Sequence, residues 1–151
     1  MHIGILLNNI GNNQAAFMLI NHINSIHFST NEHVIELYYQ EYSQPVTRVF
    51  CLINNIDRMI SIRDTVIATD LNTLSYLKAS TAKTKILYLN DLEWLRYKVD
   101  YVSSIRNLNN KDLILIARSK EHAEAIEIFS GRKPDYIIEN FNLQEIIKCL
   151  S

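Results

Sequence analysis

Polar side chains follow directly on apolar runs at several points along the chain, and these are the residues able to do chemistry. They are Asn8, Asn9, Gly11 and Asn12, then Thr69, Asp70 and Asn72, then Asn90, Asp91 and Trp94. Further along come Arg118, Ser119 and His122, and finally Glu139 with Asn140. Asp70 and Asp91 carry carboxylates that can take a proton from a hydroxyl group. Asp70 precedes a helical pattern, however, and reads as an N-cap before it reads as a base. Arg118 follows the apolar run ILIA and can hold a phosphate or carboxylate, or equally pair with Glu121 or Glu139. His122 can exchange a proton near neutral pH, although a histidine in a first helical turn is more often simply exposed. Ser119 is a cap first and a ligand contact second. Trp94 can stack on a sugar face, but packing within its helix is the plainer role. Amides and hydroxyls around an aromatic suit a neutral, polyhydroxylated ligand better than a pyrophosphate.

Familiar phosphate chemistries fail at the first loop. GILLNNIG has no G-x-G-x-x-G, so the backbone lacks the close approach that a dinucleotide pyrophosphate needs, and no Walker sequence is present. A receiver domain would place paired acidic residues where Asn8 and Asn9 stand. A flavodoxin would carry hydroxyls where NNIGNNQ carries amides. No nucleophile, base and orienting residue can be read as a set. His2, His22, His27 and His33 lack metal-ligand spacing, so no metal is expected. Cys51 and Cys149 sit inside apolar patterns and read as small buried hydrophobes in a reducing compartment.

The elements that must position these residues alternate along the chain. Strands are predicted at HIGILL, His33–Tyr39, Thr47–Ile53, Thr65–Thr69, Lys85–Leu89, Leu113–Ala117 and Asp135–Glu139. Between them fall helices. The first, Gln14 to Ile26, sets Phe17, Ile20, Ile23 and Ile26 on one face. A short one at NNIDRMISI has Asn54 as its N-cap and Asp57 at its third position. Others follow at LNTLSYLKAS, at DLEWLRY with an Asn90/Glu93 capping box, and around Val99 to Leu108. Ser119 caps the helix KEHAEAIEIF, which ends at Gly131, and Asn142 with Glu145 caps LQEIIKCL. Several strands are continuous apolar runs, as strands buried on both faces are. The expectation is α/β: a single Rossmann-like three-layer sandwich over residues 1–151, its mostly parallel sheet of about seven strands covered by helices on both faces.

Composition bounds the partners. With 15 basic and 16 acidic residues, the chain has no electrostatic footprint for nucleic acid or an anionic membrane. No apolar run approaches a membrane span and no signal peptide precedes the first strand, so a cytoplasmic location is expected. The abundance of Asn, Ile, Tyr and Lys suggests an AT-rich phage or low-GC bacterial genome.

In order along the chain, these segments resemble the N-terminal domain of GT-B-fold glycosyltransferases. MHIGILL, a polar loop and helix, and then NEHVIELYY are similar to that domain's opening, with Asn31, Glu32, His33 and Val34 where the family commonly has G-H-E-V. RDTVIATDLNTL, KILYLNDLEWL and DLILIARSKEHAEAI resemble its later strands and its serine-capped helix. DYIIENFNL is similar to the closing v-I-P-N-G-V-D tract, with Glu139 in place of the proline and Phe141 in place of the glycine. The resemblance implies an acceptor-binding half without the donor-binding domain. That half would be one subunit of a split glycosyltransferase or a reduced, inactive descendant. It implies Asp70 or Asp91 as the base that activates an acceptor hydroxyl, and Arg118 near the leaving phosphates. It also implies no tightly bound cofactor, with a nucleotide sugar bound only in company with a donor-domain partner chain. The alternative is a non-enzymatic module on the same scaffold, binding a small polar ligand or a protein. In that case the aromatic stretch YYQEYSQPVTRVF could line a homo-oligomeric interface.

Overall fold

Ile3 to Leu7 is buried without a break, and the run can be so only in a strand covered on both faces. The computed structural model, which describes residues 1–11, 13–27, 33–95 and 100–150, places it at the centre of the fold. Among the described residues seven strands form one sheet: β1 (His2–Asn9), β2 (Val34–Glu41), β3 (Leu52–Asn55), β4 (Thr65–Ala68), β5 (Thr84–Leu89), β6 (Ile114–Ala117) and β7 (Tyr136–Ile137). Their order is β3-β2-β1-β4-β5-β6-β7, and every pairing is parallel. The expected α/β class and parallel sheet are therefore present.

Alternation along the strands divides the core in two. Ile3, Ile5 and Leu7 pack with α1 (Gln14–His27) and with Leu143 and Ile146 of α5 (Leu143–Cys149). Leu6, Val66 and Ala68 face the other way. They meet Leu74 and Leu77 of α2 (Leu74–Ala79), Leu108 of α3 (Tyr101–Leu108), and Ala123 and Ile126 of α4 (Lys120–Ser130). Among the described residues, no helix is long and apolar enough to cross a membrane.

Several boundaries depart from the sequence expectation, each for a local reason. β3 begins at Leu52, not Thr47, because the preceding backbone is bonded elsewhere. Buried Asn24 of α1 donates to the Arg48 carbonyl at 2.7 Å and accepts from the Phe50 N–H at 3.1 Å, filling the ladder positions a strand would use. Phe17 is 43% exposed, so the buried face of α1 is carried by Ile20, Ile23 and Ile26 without it. The cap of the 3-10 helix Ile56–Ser61 is Asn55, one residue later than expected; its side chain accepts from the Asp57 N–H. No capping box forms at Asn90. Glu93 turns inward to accept from the Leu71 N–H at 2.8 Å and opens a 3-10 turn, Glu93–Leu95; Arg96 and Tyr97 of the expected helix lie outside the described residues. β7 is two residues long because the chain turns at Glu139–Phe141 into a 3-10 segment. Asn12, Asn31, Glu32 and the start of the helix expected from Val99 lie outside the described residues.

Candidate functional site

After β1 the chain turns to α1 on one face of the sheet, and after β4 it turns to α2 on the opposite face. A crevice opens where neighbouring strands part in this way, and in open parallel sheets it is the usual ligand site. Here it is a cleft of about 480 Å³ at the carboxyl ends of β1, β4, β5 and β6, within the range of small-molecule sites. Of the residues singled out in the sequence, it brings together Asn8, Asn9, Thr69, Asp70, Asn72, Asn90, Asp91 and Arg118.

Many of these groups are already occupied in holding the loops. Asn9 accepts through Oδ1 from the Gly11 N–H at 2.7 Å and from the Ser43 hydroxyl at 2.8 Å, which fixes the first turn of the loop. Thr69 donates its hydroxyl to the Leu6 carbonyl at 2.8 Å, tying β4 to β1. Asp70 accepts from the Asn8 N–H at 3.1 Å with one oxygen and from the Thr73 N–H at 2.8 Å with the other. Asp70 is not the N-cap of α2, which begins at Leu74 with Thr73 in that place; its carboxylate instead clamps β1 to the turn that leads into the helix. Burial raises the Asp70 carboxyl above its ordinary range, and the backbone bonds from Thr73 and Asn8 only partly offset this. Asp91 accepts from the Leu92 N–H at 2.8 Å.

Other groups at the cleft are unspent. Among the described residues, the side-chain amides of Asn8, Asn72 and Asn90 make no hydrogen bond, and Arg118 enters no ion pair. Neither Glu121 nor Glu139 neutralises it. Among the described lining residues Arg118 is the one cation, beside three carboxylates, those of Asp70, Asp91 and Glu93.

The remaining candidates stand apart from the cleft. Gly11 is buried behind it, under Ser43. Trp94 is buried and stacks on Phe129, with centroids 4.4 Å apart and planes 2° from parallel, so it packs and presents no face to a ligand. Ser119 is the N-cap of α4, accepting from the His122 N–H at 3.1 Å. His122 is not exposed but 4% accessible, with Nδ1 accepting from the Arg118 N–H at 3.4 Å. Burial lowers its pKa, as does the nearby Arg118 charge, against the smaller opposing influence of Asp91. The ring therefore supports the Arg118 backbone as a neutral group. Glu139 is exposed and Asn140 borders a small apolar recess beside the cleft.

The cleft also takes in Leu7, Asn13, Gln14, Ala15 and Glu93, which the sequence reading passed over. Asn13 had a legible signal: it stands just before the helical pattern, and its side chain caps α1 by accepting from the Ala16 N–H at 2.8 Å. Gln14 and Ala15 follow it into the first turn. Glu93 had none, since a buried glutamate is uncommon. Burial pushes the Cys51 thiol up to about 11, which suits a packing residue and not a nucleophile. Among the described residues, no group of three or more His, Cys, Asp and Glu is arranged to hold a metal. Comparison with family models, curated proteins and solved structures finds no match to this chain.

Proposed function

We propose that the chain is a glycosyltransferase-like acceptor-binding domain that takes a polyhydroxylated ligand into the β1/β4 cleft. The observation that carries this reading is the set of unspent amides, Asn8, Asn72 and Asn90, gathered around Asp91 and Arg118. Each amide offers both donors and an acceptor, which suits hydroxyl groups better than phosphate oxygens. A second observation supports it. Phe141, which stands where the resembling family has glycine, has φ +53°, and Asn140 before it has φ +52°. The closing tract thus keeps a left-handed turn of the kind that glycine serves, without the glycine.

In the transfer reaction an acceptor hydroxyl attacks the anomeric carbon of a nucleotide sugar held by a donor-domain partner chain. The new C–O bond forms as the bond to the leaving phosphate breaks. Asp91 takes the hydroxyl proton, and Arg118 faces the charge that develops on the phosphate. Asp70, the other candidate for the base, accepts backbone N–H groups with both carboxylate oxygens.

The same clamping favours one second reading, a binding module without transfer. Carboxylates at the cleft that accept backbone N–H groups are accounted for by loop architecture alone. Titration with mono- and oligosaccharides, followed by thermal unfolding, tests the shared part. An acceptor at ten times its dissociation constant should raise the midpoint by about 3–6 °C. Sugar transfer on adding a separately produced donor-domain chain supports the enzyme. Binding without transfer supports the module, and the absence of any sugar-dependent shift sinks both.

A further inference from the structure

Beside the main cleft lies a second, smaller recess of about 20 Å³, sharing Leu7, Ala15, Thr69 and Asn90 with it as walls. Its inner surface is completed by Leu19, Tyr88 and Phe141 among others. The polar atoms nearest to hand there are spent. The Tyr88 hydroxyl donates to the Ile138 carbonyl at 2.8 Å and accepts from the Phe141 N–H at 2.9 Å. The Thr69 hydroxyl is bonded to the Leu6 carbonyl. The recess has room for about one water-sized group; apart from the amides of Asn90 and Asn140 its walls are apolar or already bonded, and they suit a methyl group better than a water, which needs two to four polar partners. A methyl group needs none.

At the junction of recess and cleft stands Asn90, half-buried, with an amide that bonds to no other described residue. It offers one acceptor oxygen and two donor hydrogens. An acetamido substituent presents the complement: a carbonyl to accept, an N–H to donate, and a methyl group beyond them. Building on the reading of the cleft as a sugar site, we infer that its ligand is an N-acetylated sugar. The acetamido methyl fills the recess and the acetamido group pairs with Asn90. A plain hydroxyl at the same ring position would leave the recess empty, and a longer acyl group would overfill it.

Ligand-observed NMR titration of the full chain with N-acetylglucosamine, N-propionylglucosamine and glucose tests this. One buried methyl and one hydrogen bond together correspond to about twentyfold tighter binding of N-acetylglucosamine than of glucose. N-propionylglucosamine should bind more weakly than the acetyl compound. Ala15→Val, at a half-buried position in the first turn of α1, narrows the recess and should bring the acetyl-to-glucose ratio down to about one. Glucose and N-acetylglucosamine binding alike, or a preference that Ala15→Val leaves intact, overturns the recess assignment while sugar binding itself stands. Failure of all three sugars to bind overturns the sugar reading of the cleft, and this inference with it.

Discussion

At Gly11 a side chain has nowhere to go: a Cβ built there falls 1.6 Å from Ser43 Oγ and 2.6 Å from its Cβ. Asn9 Oδ1 holds both partners, so the glycine closes the first loop by letting Ser43 approach. Gly11→Ala is expected to cost about 1–3 kcal/mol in urea unfolding. Adding Ser43→Gly should recover part of that loss, because the two positions share one contact; strictly additive losses would contradict the account. The buried titratable groups differ in sign. The folded pKa of His122 lies below its ordinary 6.5, so the unfolded chain binds more protons between those two values. The wild-type chain should therefore lose stability relative to His122→Gln as pH falls from 6.5 toward the folded value, with no such trend above it. Asp70 is shifted upward from 3.8, so here the folded chain binds more protons between the two values. Its contribution falls as pH rises from 3.8 through the folded pKa. Urea midpoints of wild type and Asp70→Asn across that range should converge as pH rises, and a widening gap would show that the backbone bonds outweigh burial.

At the scale of elements, α4 shows how far local chemistry can be read in a sequence. Ser119 caps it and Gly131 ends it with φ +74°, as the spacing indicates, and nothing lies within 4 Å of a Cβ built on that glycine. The cost of Gly131→Ala is then purely conformational, about 1–2 kcal/mol, and Ser119→Ala should cost about 1 kcal/mol. Both are readable from equilibrium unfolding, and a neutral Gly131→Ala would mean that the terminus relaxes out of the left-handed conformation. Elements set by such local signals, α1, α4 and α5, begin where the sequence says they do. Those decided by distant partners do not. Thr47 to Cys51 has strand composition, but Asn24 on α1 takes its backbone groups. Glu93 looks like the far end of a capping box, but the Leu71 N–H draws it inward. Neither Asn24 nor Glu93 carries any mark in the sequence of the segment it bonds, so no reading of periodicity could have found these pairs.

For the molecule as a whole, the position of the cleft was legible because parallel topology fixes it: polar residues after β1, β4, β5 and β6 converge once the strand order places β1 beside β4. What topology does not say is which polar groups are left free after the loops have been tied. Asn9, Thr69 and Asp70 are spent on backbone groups, whereas Asn8 and Asn90, of the same residue type as Asn9, are not. Another tie near the cleft runs from Tyr88 on β5 to the segment before α5, with the hydroxyl bridging the Ile138 carbonyl and the Phe141 N–H. It holds Phe141, a bulky residue at φ +53°, in a conformation that costs of order 1–3 kcal/mol and needs surrounding support. Tyr88→Phe keeps the edge-on ring contact with Phe141, at 4.8 Å between centroids, and removes only the hydroxyl. Two buried backbone groups then lose their partner, so the variant is expected to unfold with about 2–3 kcal/mol less stability. The Phe141 amide should lose hydrogen-exchange protection beyond that global change, while the β1 and β4 amides lose no more than the global amount. A uniform loss across all amides would show that the hydroxyl serves the core in general and not the left-handed turn. A change below about 0.5 kcal/mol would show that the turn is held by the packing of Phe141 against Tyr88, with the hydroxyl incidental to it.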